Sequence, residues 1–480
     1  MIFTIALIVF LALFLKAEPS YVSGSDSKNS SFVDFLAEIF GNVDTLSSNQ
    51  CRYDAKDNQS CGLDTTKIIE NPEGGYLGIY HSSVSEVLQV RLANSTDLLN
   101  WIFIKTLEQN AAQPTISRAP NDAYIVAFEK WNSSGAHLRF HYYSNLSTLL
   151  NAYSSPDATF DAPITLGNNY EGTPNVYSIT VKAPILNACI GFHYYNGSVD
   201  NVALGHLTIP LDDPKNISRW TWNAWRQVEY NQKLREEWNV KGNIGDRDYG
   251  QIFGRNFTLQ EGNLEPNPTN YSEYRIFLYD HLTKSFTKLN ITTLQGSTSF
   301  GNPTFTFLKS PNGKDAIVVV TYFLFGQGAK TGEAGELIFY KEFSKTPEKV
   351  SHEDKTYPLE ISSNSTISNF NSSWSQRRID FDATGPDTTK GYCIVNLTNS
   401  LVQDLWQSNY TILIDGKILQ FENWKDMEST YIYISYVHPT HEITIIPEFL
   451  TQFLTIFMLT TFAIILIKRK GQVVRGRLER

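Results

Sequence analysis

Three stretches far apart in this chain follow one plan: QPTISRAPNDAYIVAF from Gln113, TPNVYSITVKAPILNACIGF from Thr173 and NPTFTFLKSPNGKDAIVVV from Asn302. Each opens on a polar-Pro-polar element, continues as a strand, turns, and enters a second strand. A unit this small cannot bury its apolar face alone, so neighbouring copies must stack and the repeat dictates the architecture. Four-stranded units spaced by roughly 45–60 residues fit the blades of a β-propeller. Five such blades fit between residues 64 and 345.

Strand signals dominate that region. The runs Tyr76 to His81, Val87 to Leu92, Ala123 to Phe128, His137 to Tyr143, Ala188 to Tyr194, Val202 to Ile209, Tyr274 to Tyr279, Ala316 to Phe325 and Glu336 to Phe343 are rich in β-branched and aromatic residues. Gly, Pro, Asn or Asp bounds each of them, as strand ends require. Helical periodicity is confined to Val33 to Phe40 and Trp222 to Trp238.

Past a charged stretch, KTPEKVSHEDKTYPLEIS, the runs TISNFN, RRIDFDATG, GYCIVNL, YTILIDG and YIYISYVH alternate apolar and polar residues. That pattern predicts a small immunoglobulin-like β-sandwich. The expected fold class is therefore all-β: a five-bladed propeller, an Ig-like sandwich and one C-terminal transmembrane helix. The expected boundaries are a signal peptide at 1–17, an N-terminal segment at 18–62, the propeller at 63–345, a linker at 346–362, the sandwich at 363–446, the helix at 449–467 and a basic tail at 468–480.

The two ends of the chain set its expected location. Met1 to Leu15 is a short apolar run followed by polar sequence, the order of a secretory signal. Phe449 to Ile467 carries no formal charge and is followed by Lys468, Arg469 and Lys470. An apolar run of roughly 20 residues spans a bilayer, and dense Lys/Arg beyond it stays in the cytoplasm. The expectation is a single-pass protein with its N-terminal ectodomain outside. Asn-x-Ser/Thr triplets begin at Asn29, Asn58, Asn94, Asn132, Asn145, Asn196, Asn216, Asn256, Asn270, Asn290, Asn364, Asn371, Asn396 and Asn409, as on a glycosylated surface. Cys51 and Cys61 are the expected disulfide in an oxidising compartment; Cys189 and Cys393 read as buried thiols. The net charge is −9, and no basic block occurs before the tail, which excludes nucleic acid as a partner.

The segment STDLLNW from Ser95 resembles an element in the outer strands of the five-bladed propeller glycosidases of the arabinanase and β-xylosidase group. GGYLGIYHSS before it resembles their first inner strand. Such a resemblance implies carboxylates at the inner ends of different blades, acid and base facing each other across a glycosidic bond. The positions it points to are Asp64 as base and Glu171 as acid, with Glu129 a further carboxylate near the channel. The base here lacks the family's following Pro, and the acid's Glu-Gly-Pro carries an inserted Thr. Each also has a structural reading: Asp64 capping a turn, Glu171 pairing with a cation such as Arg139, Glu129 a satisfied strand-end charge. Degraded motifs favour a propeller that recognises a glycan or a neighbouring surface component; a glycoside hydrolase and a purely structural envelope protein are the rivals.

Trp220, Trp222 and Trp225 cluster in RWTWNAW, either as a platform for sugar stacking or as cover for a propeller edge. The loop GNIGDRDYG offers Asp246 and Asp248 as candidate calcium ligands, or is simply a turn; no other cofactor is expected. The stretch from Ser365 to Ile446 closely resembles the membrane-proximal sandwich of archaeal surface proteins, which implies a spacer without chemistry of its own. Pro447-Glu448-Phe449 resembles an archaeal sorting tripeptide, although a chain running on to Arg480 favours a retained helix. The partners expected on these grounds are the membrane and an extracellular glycan or surface protein.

Overall fold

The computed structural model describes residues 31–448. The signal segment, the apolar run at 449–467, the basic tail and Asn29 lie outside them. Among the described residues no helix is long and apolar enough to cross a membrane.

Four antiparallel sheets of four strands and one end of an eight-stranded sheet form a ring of five blades. Blades 1 to 4 run from Asp64–Glu70 to Ile102–Gln109, Ala111–Arg118 to Ala158–Asp161, Glu171–Lys182 to Thr221–Arg226, and Arg247–Ile252 to Ser285–Lys288. Blade 5 begins with Gly301–Lys309, Ala316–Leu324 and Gly335–His352. The inner strand of each blade contacts that of the next, and Gly301–Lys309 returns to Asp64–Glu70, which closes the circle. Blade 5 takes its outer strand from the N-terminal segment: Cys51 pairs with Phe339 and Arg52 with Ile338. Closure by a strand from the other end of the chain ties the last blade to the start of the ring and leaves only the short outer edges of the blades.

The expected linker at 346–362 is itself sheet. Gly335–His352 is one strand of 18 residues that leaves blade 5 and pairs from Ser344 onward with Lys355–Ser363. Its charged residues belong to a hairpin whose outward face is solvated, which is why they read as a strand-poor connector. Beyond it, one sheet adds Lys390–Thr398, Ser429–Val437 and Glu422–Lys425. A second, five-stranded sheet has the order Thr366–Ser373, Arg378–Thr384, Thr440–Pro447, Tyr410–Ile414, Lys417–Leu419. Leu359, Ile361, Val395 and Ile432 of the first sheet and Ile379, Phe381, Ile412 and Ile443 of the second share one core.

The expected N-terminal helix forms at Phe32–Gly41. Ser31 and Asp34 make a reciprocal capping box, and Phe32, Phe35, Leu36 and Phe40 line its buried face. That face wedges between the propeller and the two-sheet unit. Phe32 stacks on Trp424 at 4.5 Å and meets Phe257 of blade 4 at 6.1 Å, while Phe35 lies 4.5 Å from Tyr392. Glu422 ties the junction together: it accepts from the Phe32 N–H at 3.0 Å and pairs with Arg255 at 3.1 Å.

Cys51 and Cys61 are free thiols, contrary to the expected disulfide. Cys51 is held in the closing strand of blade 5, and the Cys61 sulfur sits 3.3 Å from the Arg91 guanidinium of blade 1. Of the candidate glycosylation asparagines, those from Asn58 to Asn409 are all exposed or half-exposed.

Candidate functional site

The polar-Pro-polar repeat marks a bulge at the start of the inner strands. Pairing with the second strand shifts register between Asp64 and Lys67, Ala112 and Thr115, Gly172 and Asn175, and Gly301 and Thr304. Inside each shift one non-glycine residue adopts a left-handed backbone: Thr65 (φ 56°), Gln113 (51°), Thr173 (43°) and Asn302 (47°). Such residues cost on the order of 1–3 kcal/mol each and persist only where the surroundings hold them.

Here the hold comes from the blade before. Glu336 of blade 5 accepts the N–H groups of Thr65 and Thr66 at 3.3 and 3.2 Å. His81 of blade 1 accepts that of Gln113 through Nδ1 at 3.4 Å, Glu261 of blade 4 accepts that of Asn302 at 2.7 Å, and the Thr173 N–H lowers the Glu129 carboxyl of blade 2. All four side chains lie at the end of the ring where the inner strands begin. The carboxylates gathered there are thus first of all inter-blade fastenings. Blade 4 lacks the bulge; its inner strand begins with Arg247, fully buried, whose guanidinium lies over the rings of Tyr177 and Tyr230 at 5.2 and 5.8 Å.

The expected acid and base begin the inner strands of blades 1 and 3 and differ in their surroundings. Glu171 is buried, and its Oε1 accepts three backbone N–H bonds, from Thr165 (2.9 Å), Leu166 (2.6 Å) and Gly167 (3.1 Å). It does not pair with Arg139, which binds Asp161 and Glu108. Asp64 is half-buried at the start of blade 1, its carboxyl pushed up to about 6 by burial and by Asp54. Glu129, Asp246, Glu261 and Asp200 form one electrostatically linked set of carboxyl groups, to which Asp248 adds its charge beside Asp246. Burial lifts Glu129 and Glu261 to about 7 each. Asp246 is raised well above its ordinary range by burial and the neighbouring Glu261. Glu129 Oε1 accepts from the Tyr170 hydroxyl at 2.8 Å, while Glu129 Oε2 and Asp246 Oδ2 have no partner.

Of the two candidate calcium ligands, Asp248 is already engaged by a cation of the chain itself. Asp248 reaches across the hub to pair with Lys67 of blade 1 and accepts the Phe305 N–H at 2.9 Å. Among the described residues no three His, Cys, Asp or Glu side chains converge as metal ligands.

The expected tryptophan platform is also corrected. Trp220 and Trp222 are core residues packed against Phe160, Phe140 and Phe192, because their strand faces the seam between blades 2 and 3. Trp225 alone is exposed, on the outer strand of blade 3. The aromatic surface that the sequence did not single out is Trp131 with Tyr170. Trp131 is 39 % exposed and meets the Tyr170 ring edge-on at 5.2 Å, and Tyr170 stacks on His193 at 5.3 Å. Tyr170 also lines a cleft of 390 Å³ with Asn168, Asn169, Tyr195, Asp200 and Asn243. Their only signal in the sequence was adjacency, Trp131 two residues after Glu129 and Tyr170 immediately before Glu171.

No family model matches the chain, and no curated protein matches it. Among solved structures, a thermostable family-43 glycoside hydrolase is 9% identical with a TM-score of 0.37, over 64% of this chain and 95% of its own. An α-L-arabinofuranosidase from Lactobacillus brevis is 10% identical with a TM-score of 0.39, over 61% and 93%. An endo-1,5-α-L-arabinanase from Thermotoga petrophila is 9% identical with a TM-score of 0.34, over 83% and 99%. Likeness this distant assigns no activity, and the propeller is established by the chain's own closed ring of blades.

Proposed function

We propose that this chain is a membrane-anchored surface protein whose propeller binds a glycan without hydrolysing it. The observation that carries the reading is the commitment of Glu171: a carboxylate holding three backbone N–H groups is not a free proton donor to a leaving group. Beside it, the cleft offers what sugar binding uses, the Tyr170 ring and side-chain amides at Asn168, Asn169 and Asn243, and Trp131 outside the cleft extends the aromatic surface by packing against Tyr170. The two-sheet unit is read as an Ig-like stalk of the archaeal surface type, with the apolar run at 449–467 as its retained anchor. The exposed or half-exposed glycosylation motifs support an outward-facing surface. A surface protein is the alternative partner; nucleic acid is not one.

A hydrolase is the second reading, favoured by the unpartnered oxygens of Glu129 and Asp246, two raised carboxyls in one field. With the roles that the resemblance implies, it uses Glu171 as acid and Asp64 as base. Arabino-, xylo- and galacto-oligosaccharides incubated with the full chain in detergent decide between the two. Saturable binding without turnover, abolished by Trp131→Ala, is the expected result. Turnover that disappears in Glu171→Gln or Glu129→Gln overturns it, and neither binding nor turnover points to a purely structural envelope role.

A further inference from the structure

We propose that Ser365, in the two-sheet unit, is a nucleophilic serine with His438 as its base, giving that unit an ester-cleaving capacity separate from the propeller. Ser365 Oγ lies 2.7 Å from His438 Nε2, and His438 Nδ1 lies 2.7 Å from the Thr389 hydroxyl. The direction of these bonds follows from the far end. The Thr389 hydroxyl gives its proton to the Pro386 carbonyl at 2.6 Å, so toward the histidine it accepts. His438 therefore carries its proton on Nδ1 and presents a lone pair at Nε2, to which Ser365 O–H donates. Tyr436, whose hydroxyl is 2.7 Å from Ser365 Oγ, then donates to that oxygen and fixes its position. This is the nucleophile, base and orienting group in sequence, with a hydroxyl where a carboxylate more often stands.

The surroundings hold the arrangement in place. His438 is buried, and its ring occupies space that glycine leaves open: a Cβ at Gly385 or Gly391 would lie 2.2 or 2.9 Å from Nε2. Ser365 is half-exposed in the short turn between Lys355–Ser363 and Thr366–Ser373. The neighbouring Asn364 is clamped, donating to the Lys390 carbonyl at 2.8 Å and accepting from the Tyr392 N–H at 2.9 Å. A rigid turn with a half-exposed, base-paired hydroxyl can meet a small ester from solvent.

The step balances without a co-reactant other than water. Ser365 Oγ bonds to the acyl carbon of a carboxylic ester as its proton passes to His438 Nε2. The ester C–O bond breaks, and the alcohol leaves with that proton. Water then attacks the acyl-serine, the proton returns to Ser365 through the same nitrogen, and the carboxylic acid departs. His438 touches the reacting atoms; Thr389 acts through it as a positioning residue.

The test uses the full chain in detergent, with a fluorophosphonate probe mapped by peptide mass spectrometry and p-nitrophenyl acetate as ester. Labelling at Ser365 is expected, together with ester cleavage that falls by about 100-fold or more in His438→Gln, the range of general-base assistance. Thr389→Val should slow both reactions and Thr389→Ser restore them, which loss of packing alone would not produce. Ser365→Ala should abolish cleavage with the melting temperature unchanged. An unlabelled Ser365 in the wild-type protein, or equal labelling rates in a folded His438→Gln variant, overturns the proposal.

Discussion

Lys67 of blade 1 pairs with Asp248 of blade 4, two blades that are not neighbours in the ring. The Lys67 ammonium also donates to the Phe305 carbonyl of blade 5 at 2.8 Å, so one side chain joins three inner strands at the hub. Burial raises the Asp248 carboxyl and Lys67 opposes that rise. Lys67→Met therefore strands a buried carboxylate and should cost about 3–5 kcal/mol in urea unfolding, whereas adding Asp248→Asn should recover much of it. An equal cost for single and double variants would show that the pair is not coupled.

The raised carboxyl of Glu129 has a definite pH signature. Its folded value of about 7 exceeds the ordinary 4.5, so between those values the folded state keeps a proton that the unfolded state has lost. Its contribution is fully present below pH 4.5 and is lost as pH rises toward 7, by at most about 3 kcal/mol. His81, lowered to about 4 by burial, acts in the opposite sense and gains stability as pH rises from 4 to 6.5. The wild-type profile mixes these with the raised Glu261 and Asp64. The difference between Glu129→Gln and wild type isolates the first, and should move in the variant's favour from pH 4.5 to 7 in thermal melts.

The tryptophans of blade 3 should separate cleanly. Trp222 fills the space above Gly205, where a Cβ would lie 2.0 Å from its ring, so Trp222→Ala opens a core cavity worth about 3–5 kcal/mol. Trp225 is 46 % exposed, and its replacement by Ala should change stability by no more than about 0.5 kcal/mol. Denaturant midpoints of the two variants measure this directly.

Phe32 packs against both halves of the molecule, so Phe32→Ala should cost about 3–5 kcal/mol and also weaken their coupling. Calorimetry should resolve two unfolding transitions in the variant where the wild type shows one. A single transition at lower temperature would mean that the continuous strand Gly335–His352 alone couples the two.

Cys51 and Cys61 should both accept an alkylating reagent without prior reduction, and intact mass should show neither linked to the other. Burial pushes the Cys51 thiol up to about 12, so its alkylation should be the slower unless the chain is unfolded.

The polar-Pro-polar repeat and the alternation of β-branched residues carried the ring of blades in the sequence, because a repeated unit with one apolar face has few ways to bury it. Asp64 and Glu171 were picked out through the resemblance to the propeller glycosidases, and Glu129 by its place at a strand end near the channel. Their roles were not. Whether Glu171 is a proton donor or a loop fastening depends on three backbone N–H groups from residues 165 to 167 turning toward it. Trp220 and Trp222 read equally as a platform or as edge cover because sequence records that they are aromatic but not which seam they face. The closing strand at Cys51, the wedge made by Phe32 and the pairing of Ser365 with His438 unite residues far apart along the chain. Local pattern thus determined the blades and sheets, whereas these long-range contacts, which leave no periodic trace in a single sequence, were decided only when the ring closed and the two units packed together.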